Sequence, residues 1–200
     1  MKTVPNLHVQ KSNLRQTMRR HRARVDDAQR QAWDAEINRH LLDYVHHLQP
    51  AVLAADVAVD GEPALSSSLP RLEAEGVQVT LPVVHDEPGR SVISFRLWTR
   101  ESEMRPNRFG IPEPGGGDEV PIAEIDLVLL PLVAWDESGG RLGMGASFYD
   151  RLFQPYAQQD RPVRIGVAYE LQKVERVPQE PWDVTLHGVL TEQGCFTCRG

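Results

Sequence analysis

The stretch 126–151, DLVLLPLVAWDESGGRLGMGASFYDR, constrains the fold of this 200-residue chain more than any other. Its first part, Leu127–Val133, is an unbroken Leu- and Val-rich run too short for a globular helix. Such a run reads as a strand buried on both faces, the usual state in a parallel sheet. Gly139, Gly140, Gly143 and Gly145 follow, with Ala146 and Ser147 completing a flexible turn. Residues 148–156 then show the spacing of an amphipathic helix. A strand, a glycine-rich turn and a helix in this order aim backbone N–H groups at an anion, usually phosphate.

The rest of the chain supplies partners for that unit. Between Lys11 and Arg24 there are six Lys and Arg and no acid. At 3.6 residues per turn, Lys11, Arg15, Arg19 and Arg22 line one face, and Leu14, Met18 and Val25 fall on a neighbouring apolar stripe. Three uses of that face stay open: a solvated surface, a nucleic-acid footprint, or a docked helix presenting a cationic row. Asp26 or Asp27 is placed to cap a second helix, whose Trp33, Ile37, Leu41, Tyr44, Val45 and Leu48 keep helical spacing up to Pro50. Strands are expected over 51–59, 77–84, 91–99, 163–170 and 184–190, with a helix over 64–75 interrupted at Pro70. The proline- and glycine-rich segment 100–120 is too long for an idle connection and reads as a functional loop. Strands alternating with helices give an α/β fold: one three-layer domain over 1–200, with a largely parallel central sheet flanked by helices. Ligands of such sheets bind at the carboxyl ends of the strands. Those ends here carry residues 60–62, 136–147 and 169–172.

Composition narrows the class. A hydrophobic content of 40% and a charged content of 25% are ordinary for a soluble globular protein. The formal charge of −6 argues against a surface given over to nucleic acid. No run approaches the roughly 20 apolar residues of a membrane span, and the N-terminus lacks the apolar core of a signal peptide. Two cysteines make no disulfide framework, so a cytoplasmic protein without a membrane partner is expected. Cys195 and Cys198 form one CxxC, without the two further ligands that zinc needs.

The glycine turn has neither the Lys-Ser/Thr ending of a Walker loop nor the dinucleotide fingerprint. Taken alone it fits a turn without a ligand as well as a phosphate cradle. Arg141 beside it and Asp150 after it favour the cradle, since phosphate calls for a cation and a nucleotide's magnesium for a carboxylate. Asp150 could equally cap its own helix. Asp183, in PWDV, is a second acid that folding could bring near.

RLGMGASFYDR, taken with DLVLLPLVAWD, resembles the 5-formyltetrahydrofolate cyclo-ligase (methenyltetrahydrofolate synthetase) family. The likeness runs through nearly the whole chain in the family's order. It takes in Lys11 with Arg15, Asp60-Gly61-Glu62, Phe109 to Pro114, Ile165 to Tyr169 with Gln172, Val177-Pro178 and Trp182-Asp183. The resemblance implies an ATP- and Mg2+-dependent ring closure of 5-formyltetrahydrofolate to 5,10-methenyltetrahydrofolate, with release of ADP and phosphate. The formyl oxygen would attack the γ-phosphate, and N10 would then displace phosphate from the activated carbon. By that likeness Lys11, Arg15 and Glu62 carry the catalytic roles. ATP is held by Lys11, Arg15 and the run Arg141, Leu142, Gly143, Met144, Gly145, Ala146, Ser147, Phe148 and Tyr149. The folate meets Glu62 and an aromatic wall of Phe148, Trp98 and Tyr169, and Asp150 and Asp183 bind the metal. ATP and the folate are the expected partners, with no nucleic acid, and the chain is expected to be a monomer or weak homodimer.

One position departs from the family. Ala146-Ser147 stands where Gly-Gly or Lys-Gly is usual, and a non-glycine residue in left-handed geometry costs roughly 1–2 kcal/mol. That departure motivates an alternative, a catalytically weakened relative that binds folate or nucleotide and sequesters it.

Overall fold

A computed structural model describes residues 6–199; residues 1–5 and 200 of the expected 1–200 domain lie outside the described part. Among the described residues the α-helices are α1 (Leu7–Ala23), α2 (Asp27–Leu48), α3 (Leu69–Ala74) and α4 (Phe148–Phe153). The strands are β1 (Val52–Ala54), β2 (Gln78–Glu87), β3 (Arg90–Trp98), β4 (Met104–Pro106), β5 (Pro112–Pro114), β6 (Glu119–Val120) and β7 (Leu127–Pro131), followed by β8 (Ala134–Trp135), β9 (Arg141–Leu142), β10 (Val163–Val167), β11 (Gly188–Thr191) and β12 (Gly194–Thr197).

Eight strands make one sheet in the order β12-β11-β10-β7-β1-β2-β3-β6. The central run from β11 to β2 is parallel, and β12, β3 and β6 add antiparallel edges. The expected largely parallel α/β sheet flanked by helices is the observed one. β7 lies in its middle, and its alternation serves two faces at once. Leu127 and Leu129 enter the apolar cluster under α2 and α3, while Val128 and Leu130 enter the cluster that includes Phe153 of α4. All four are at most 2% exposed. Burying one such side chain stabilises by roughly 1.5–3 kcal/mol, which is why this run has no polar alternation.

Several boundaries differ from the sequence expectation for local reasons. β1 stops at Ala54 rather than continuing to Val59, and Asp56 follows its end. Pro70 starts α3 instead of interrupting a longer helix, because proline is tolerated in a helix's first turn. The 100–120 segment contains the β4–β5 ribbon and edge strand β6. β12 was not expected, and it carries Cys195.

The sheet order creates a switch point. From β1 the chain leaves through α3 to β2 on one side, and from β7 through α4 to β10 on the other. The carboxyl ends of β1 and β7 therefore open onto a crevice between diverging connections, where open α/β sheets bind ligands. Among the described residues, no helix is long and apolar enough to cross a membrane.

Candidate active site

The segments leaving β1 and β7 frame an open cavity of about 360 Å³, which α1 and the 109–111 segment also line. α1 arrives there through its apolar stripe. Leu14 and Met18 pack on Ala134 and Leu142 of the β8–β9 ribbon and on Val177. Val25 lies beyond the helix end. With that stripe docked, Lys11, Arg15 and Arg22 turn inward while Arg19 stays exposed, and each of the four cations finds a specific partner. Lys11 Nζ bonds Asp183 Oδ2. Arg15 Nε donates to the Gly143 carbonyl at 2.8 Å. Arg19 Nε and Arg22 Nη2 reach Asp60 Oδ2 at 2.7 and 2.9 Å. The third use of the basic face, a docked helix with a cationic row, is the one the structure adopts.

The four glycines divide into two jobs. Gly139 and Gly140 belong to the tight turn between β8 and β9, wrapped around buried Asp136. Its carboxylate accepts the amides of Ser138 (2.9 Å), Gly140 (3.0 Å) and Val177 (2.7 Å). Burial pushes the Asp136 pKa up, but these donors outweigh it and hold the carboxyl below its ordinary value. A Cβ on Gly140 would lie 2.3 Å from Asp136 Oδ2, so only glycine fits there. Gly143 and Gly145 border the cavity, together with Leu142, Met144, Ala146, Ser147, Phe148 and Tyr149.

The departure from the family falls on one residue of the pair. Ser147 adopts φ 52°, ψ 28°, the left-handed region, while Ala146 is not among the positive-φ residues. Ser147 is also the N-cap of α4, yet its side chain makes no capping bond. The loop keeps a glycine-like backbone shape at the strain expected for a serine.

Opposite charges gather at the two ends of the cavity. At the loop end, Arg141 Nη2 meets Asp150 Oδ1 at 2.5 Å, and the Arg141 side chain is only 4% exposed. Burial lowers the Arg15 pKa, and the nearby Asp183 and Asp150 carboxylates counter that shift. At the floor, Asp56 and Glu62 face the same space. Glu62 Oε2 accepts the Val59 amide at 3.2 Å, and burial pushes its pKa up to about 7, with Asp56 adding to the rise. Burial also raises Asp56 to about 6, against the hydrogen bonds it accepts from the Tyr149 hydroxyl and the Val57 amide. Displaced carboxyl pKa values in a cleft mark a candidate functional site.

Two expected wall residues are elsewhere. Tyr169 is fully buried, its hydroxyl bonds Asp34 Oδ1 at 2.7 Å, and its ring lies 5.3 Å from Trp33. It belongs to the packing of α2 on the sheet. Trp98 packs against that same cluster, paired with Val79 at the end of the β2–β3 hairpin. Neither lines the cavity; Phe109 joins Phe148 and Tyr149 there as the aromatic wall. Phe109 and Ile111 were legible as part of the long loop and of the segment Phe109 to Pro114 that carries the resemblance, without a place in the aromatic wall. Asp56 was missed, and the available signal was a lone acid inside the apolar run 51–59.

A metal can be tested against these donors. Among the described residues, no group of three or more His, Cys, Asp or Glu is placed to hold an ion, so a cage built from protein alone is not formed. The hydrogen bonds that tie Asp150 to Arg141 and Asp183 to Lys11 use one oxygen of each acid, Oδ1 and Oδ2 respectively. Two hard carboxylates beside a phosphate-sized cavity fit Mg2+, which is typically held by one or two carboxylates together with phosphates and water.

An α/β crevice with a cationic glycine loop facing buried acids is an arrangement suited to an anion on one side and to hydrogen-bond donors on the other. The family model for the 5-formyltetrahydrofolate cyclo-ligase family matches residues 8–192, and the chain belongs to that family. It is 32% identical over 182 residues to a 5-formyltetrahydrofolate cyclo-ligase of Haemophilus influenzae, covering 90% of this chain and 96% of the relative. To the protein of that name from Escherichia coli K12 it is 38% identical over 148 residues, covering 71% and 80%. The solved structure of Aquifex aeolicus 5,10-methenyltetrahydrofolate synthetase superposes with a TM-score of 0.82 at 27% identity, covering 95% of this chain and 93% of that one.

Proposed function

We propose that this chain closes 5-formyltetrahydrofolate to 5,10-methenyltetrahydrofolate at the expense of ATP, releasing ADP and phosphate. The observation that carries this reading is the charge division of a single cavity at the β1/β7 switch point. Lys11, Arg15 and Arg141, with the backbone of Leu142 to Ser147, stand where a triphosphate can lie. Glu62 stands where the N–H donors of a pterin can be met, and Phe148, Phe109 and Tyr149 offer flat apolar surface between the two.

Phosphoryl transfer asks a protein mainly for positioning and for neutralisation of charge. Lys11 and Arg15, one helical turn apart on α1, grip the phosphates from one side. Arg141 and the loop amides of Gly143 and Gly145 grip them from the other. Mg2+, when bound, supplies further charge neutralisation, and Asp150 and Asp183 are the residues that would hold it. An ionised Glu62 orients the pterin so that the formyl oxygen points toward the cationic end. The docked α1 and the 109–111 segment narrow that space, and the burial of Arg141 strengthens its charge interactions.

The left-handed Ser147 favours a second reading, a relative that binds folate or nucleotide and sequesters it. The complete set of Lys11, Arg15, Arg141, Asp150 and Asp183 in one cavity supports the first. The deciding experiment incubates pure protein with 5-formyltetrahydrofolate, ATP and Mg2+ and follows methenyl absorbance. Turnover is expected. Ligand binding without turnover would move the assignment to the sequestering relative, and absence of both would remove the family activity from this chain. We further propose that residues 1–200 act as one cytoplasmic unit, monomeric or weakly dimeric, which size-exclusion chromatography with light scattering would test.

A further inference from the structure

Nothing in the mechanism above uses Asp56. It follows the carboxyl end of β1, faces the cavity, and has both carboxylate oxygens engaged: Oδ1 accepts the Val57 amide at 2.8 Å and Oδ2 the Tyr149 hydroxyl at 2.7 Å. The Val57 bond is local and fixes the carboxylate on its own strand end. The Tyr149 bond spans 93 positions and is the one that joins two parts of the site.

Tyr149 is the second residue of α4, a six-residue helix that starts from a left-handed serine without a side-chain cap. A side-chain cap stabilises a helix end, and a short helix without one frays readily. Here the first turn is held from outside. The Tyr149 ring stacks parallel on Phe153 with centroids 6.3 Å apart, and the Arg141 guanidinium lies 6.0 Å from its centroid. The next residue, Asp150, pairs with Arg141. One hydroxyl–carboxylate bond thus ties the uncapped turn, the Arg141–Asp150 pair and the end of the glycine loop to the end of β1, where Glu62 also stands.

We propose that Asp56 is a positioning residue that sets the distance between the two ends of the cavity by holding the Tyr149 hydroxyl. Its action on the loop end passes through Tyr149, so Tyr149→Phe isolates that action, whereas Asp56→Ala also removes a carboxylate that faces the floor beside Glu62. The proposal rests on the nucleotide reading of the loop for its kinetic consequence, while its structural consequence can be read without any ligand.

The test uses the full chain and the variants Asp56→Ala, Asp56→Asn, Tyr149→Phe and the double Asp56→Ala/Tyr149→Phe. Amide hydrogen exchange of residues 143–150 is measured in ligand-free protein, alongside equilibrium ATP binding and the two KM values. Tyr149→Phe keeps the ring and its packing, so it removes the bond without opening a cavity. Exchange over 143–150 is expected to rise in Asp56→Ala and Tyr149→Phe alike, by about tenfold for the loss of one charge-assisted bond, and to rise no further in the double variant. ATP affinity and the KM for ATP are expected to weaken in parallel in both single variants, with the KM for the folate within about twofold in Tyr149→Phe, and Asp56→Asn is expected to fall between parent and Asp56→Ala. Additive effects, or a silent Tyr149→Phe beside an impaired Asp56→Ala, would overturn the proposal, as would exchange confined to residues around β1. Lower thermal stability with unchanged 143–150 exchange would likewise overturn it, since that is what a merely structural role gives. If the parent binds no ATP, the function proposed above fails while the exchange result still decides this one.

Discussion

At the loop end of the cavity, Lys11, Arg15 and Arg141 are each engaged with an oxygen of the chain itself: Asp183, the Gly143 carbonyl and Asp150. At the floor, Asp56 and Glu62 bond only a tyrosine hydroxyl and backbone amides. The cations of the loop end are thus held in advance by the chain's own oxygens, and the phosphates of the reading proposed above would compete for them. The floor instead keeps acidic groups that burial drives toward their neutral forms, able to accept from a ligand that brings donors. A site with both arrangements distinguishes ligands by the polar groups they offer, charged oxygens or N–H donors, before any shape is compared, which is a route to specificity as much as to affinity.

The largest effect expected from breaking this division comes from Arg15→Ala. Removing a donor aimed at developing phosphate charge should lower kcat/KM for ATP by roughly 100- to 1,000-fold and leave the folate KM nearly unchanged. An equal loss for both substrates in steady-state kinetics would show that the two ends are not separable. Next comes Glu62→Gln, expected to lower kcat/KM for the folate by about 10- to 100-fold with little change in ATP affinity by calorimetry. If ATP affinity falls instead, the floor is not the pterin end.

A smaller effect concerns pH. Glu62 rises from an ordinary 4.5 to about 7 in the folded chain, so between those values the native state binds more protons than the unfolded one. Stability from this group is then fully present below about pH 4.5 and is lost as pH rises through 7, at no more than about 1.4 kcal/mol per pH unit. Asp56, raised to about 6, acts in the same direction over a lower window. Urea midpoints measured from pH 4.5 to 8 should fall across this range, and Glu62→Gln should flatten the fall; a variant with the parent's slope would refute the assignment. The smallest expected change is Ser147→Gly, which relieves left-handed strain and should raise stability by about 1 kcal/mol or less, partly offset by glycine's freer unfolded chain. A lower melting temperature would show that the serine side chain, not its backbone angle, matters at that position.

What could be read from the sequence was whatever depends on local order. The β7 run, the glycine turn and the shared helix face of Lys11 and Arg15 are set by periodicity within a few residues, and the fold followed from the alternation of strands and helices. Trp98 and Tyr169 could not be placed that way. Which face an aromatic side chain takes depends on distant partners, here Trp33 and Asp34 for Tyr169. Asp56 was hidden because a strand drawn to Val59 treats it as an interior residue, whereas ending β1 at Ala54 moves it to the crevice. The glycine turn was legible as a whole but not in its parts. That Gly139 and Gly140 serve Asp136 while Gly143 and Gly145 border the cavity depends on the Val177 amide, far along the chain.

The Lys11–Asp183 bond joins residues 172 positions apart, and Arg15 meets Gly143 across 128. Contacts of such separation close the largest loops and contribute most to contact order, which slows folding. On a ribosome, the sheet from β1 to β10 can assemble before residue 183 has left the exit tunnel, but the bond that fastens α1 to the far rim cannot form until then. Closure of the cavity's rim is therefore a late event of biogenesis, and a folding intermediate with an ordered sheet would still lack that clasp.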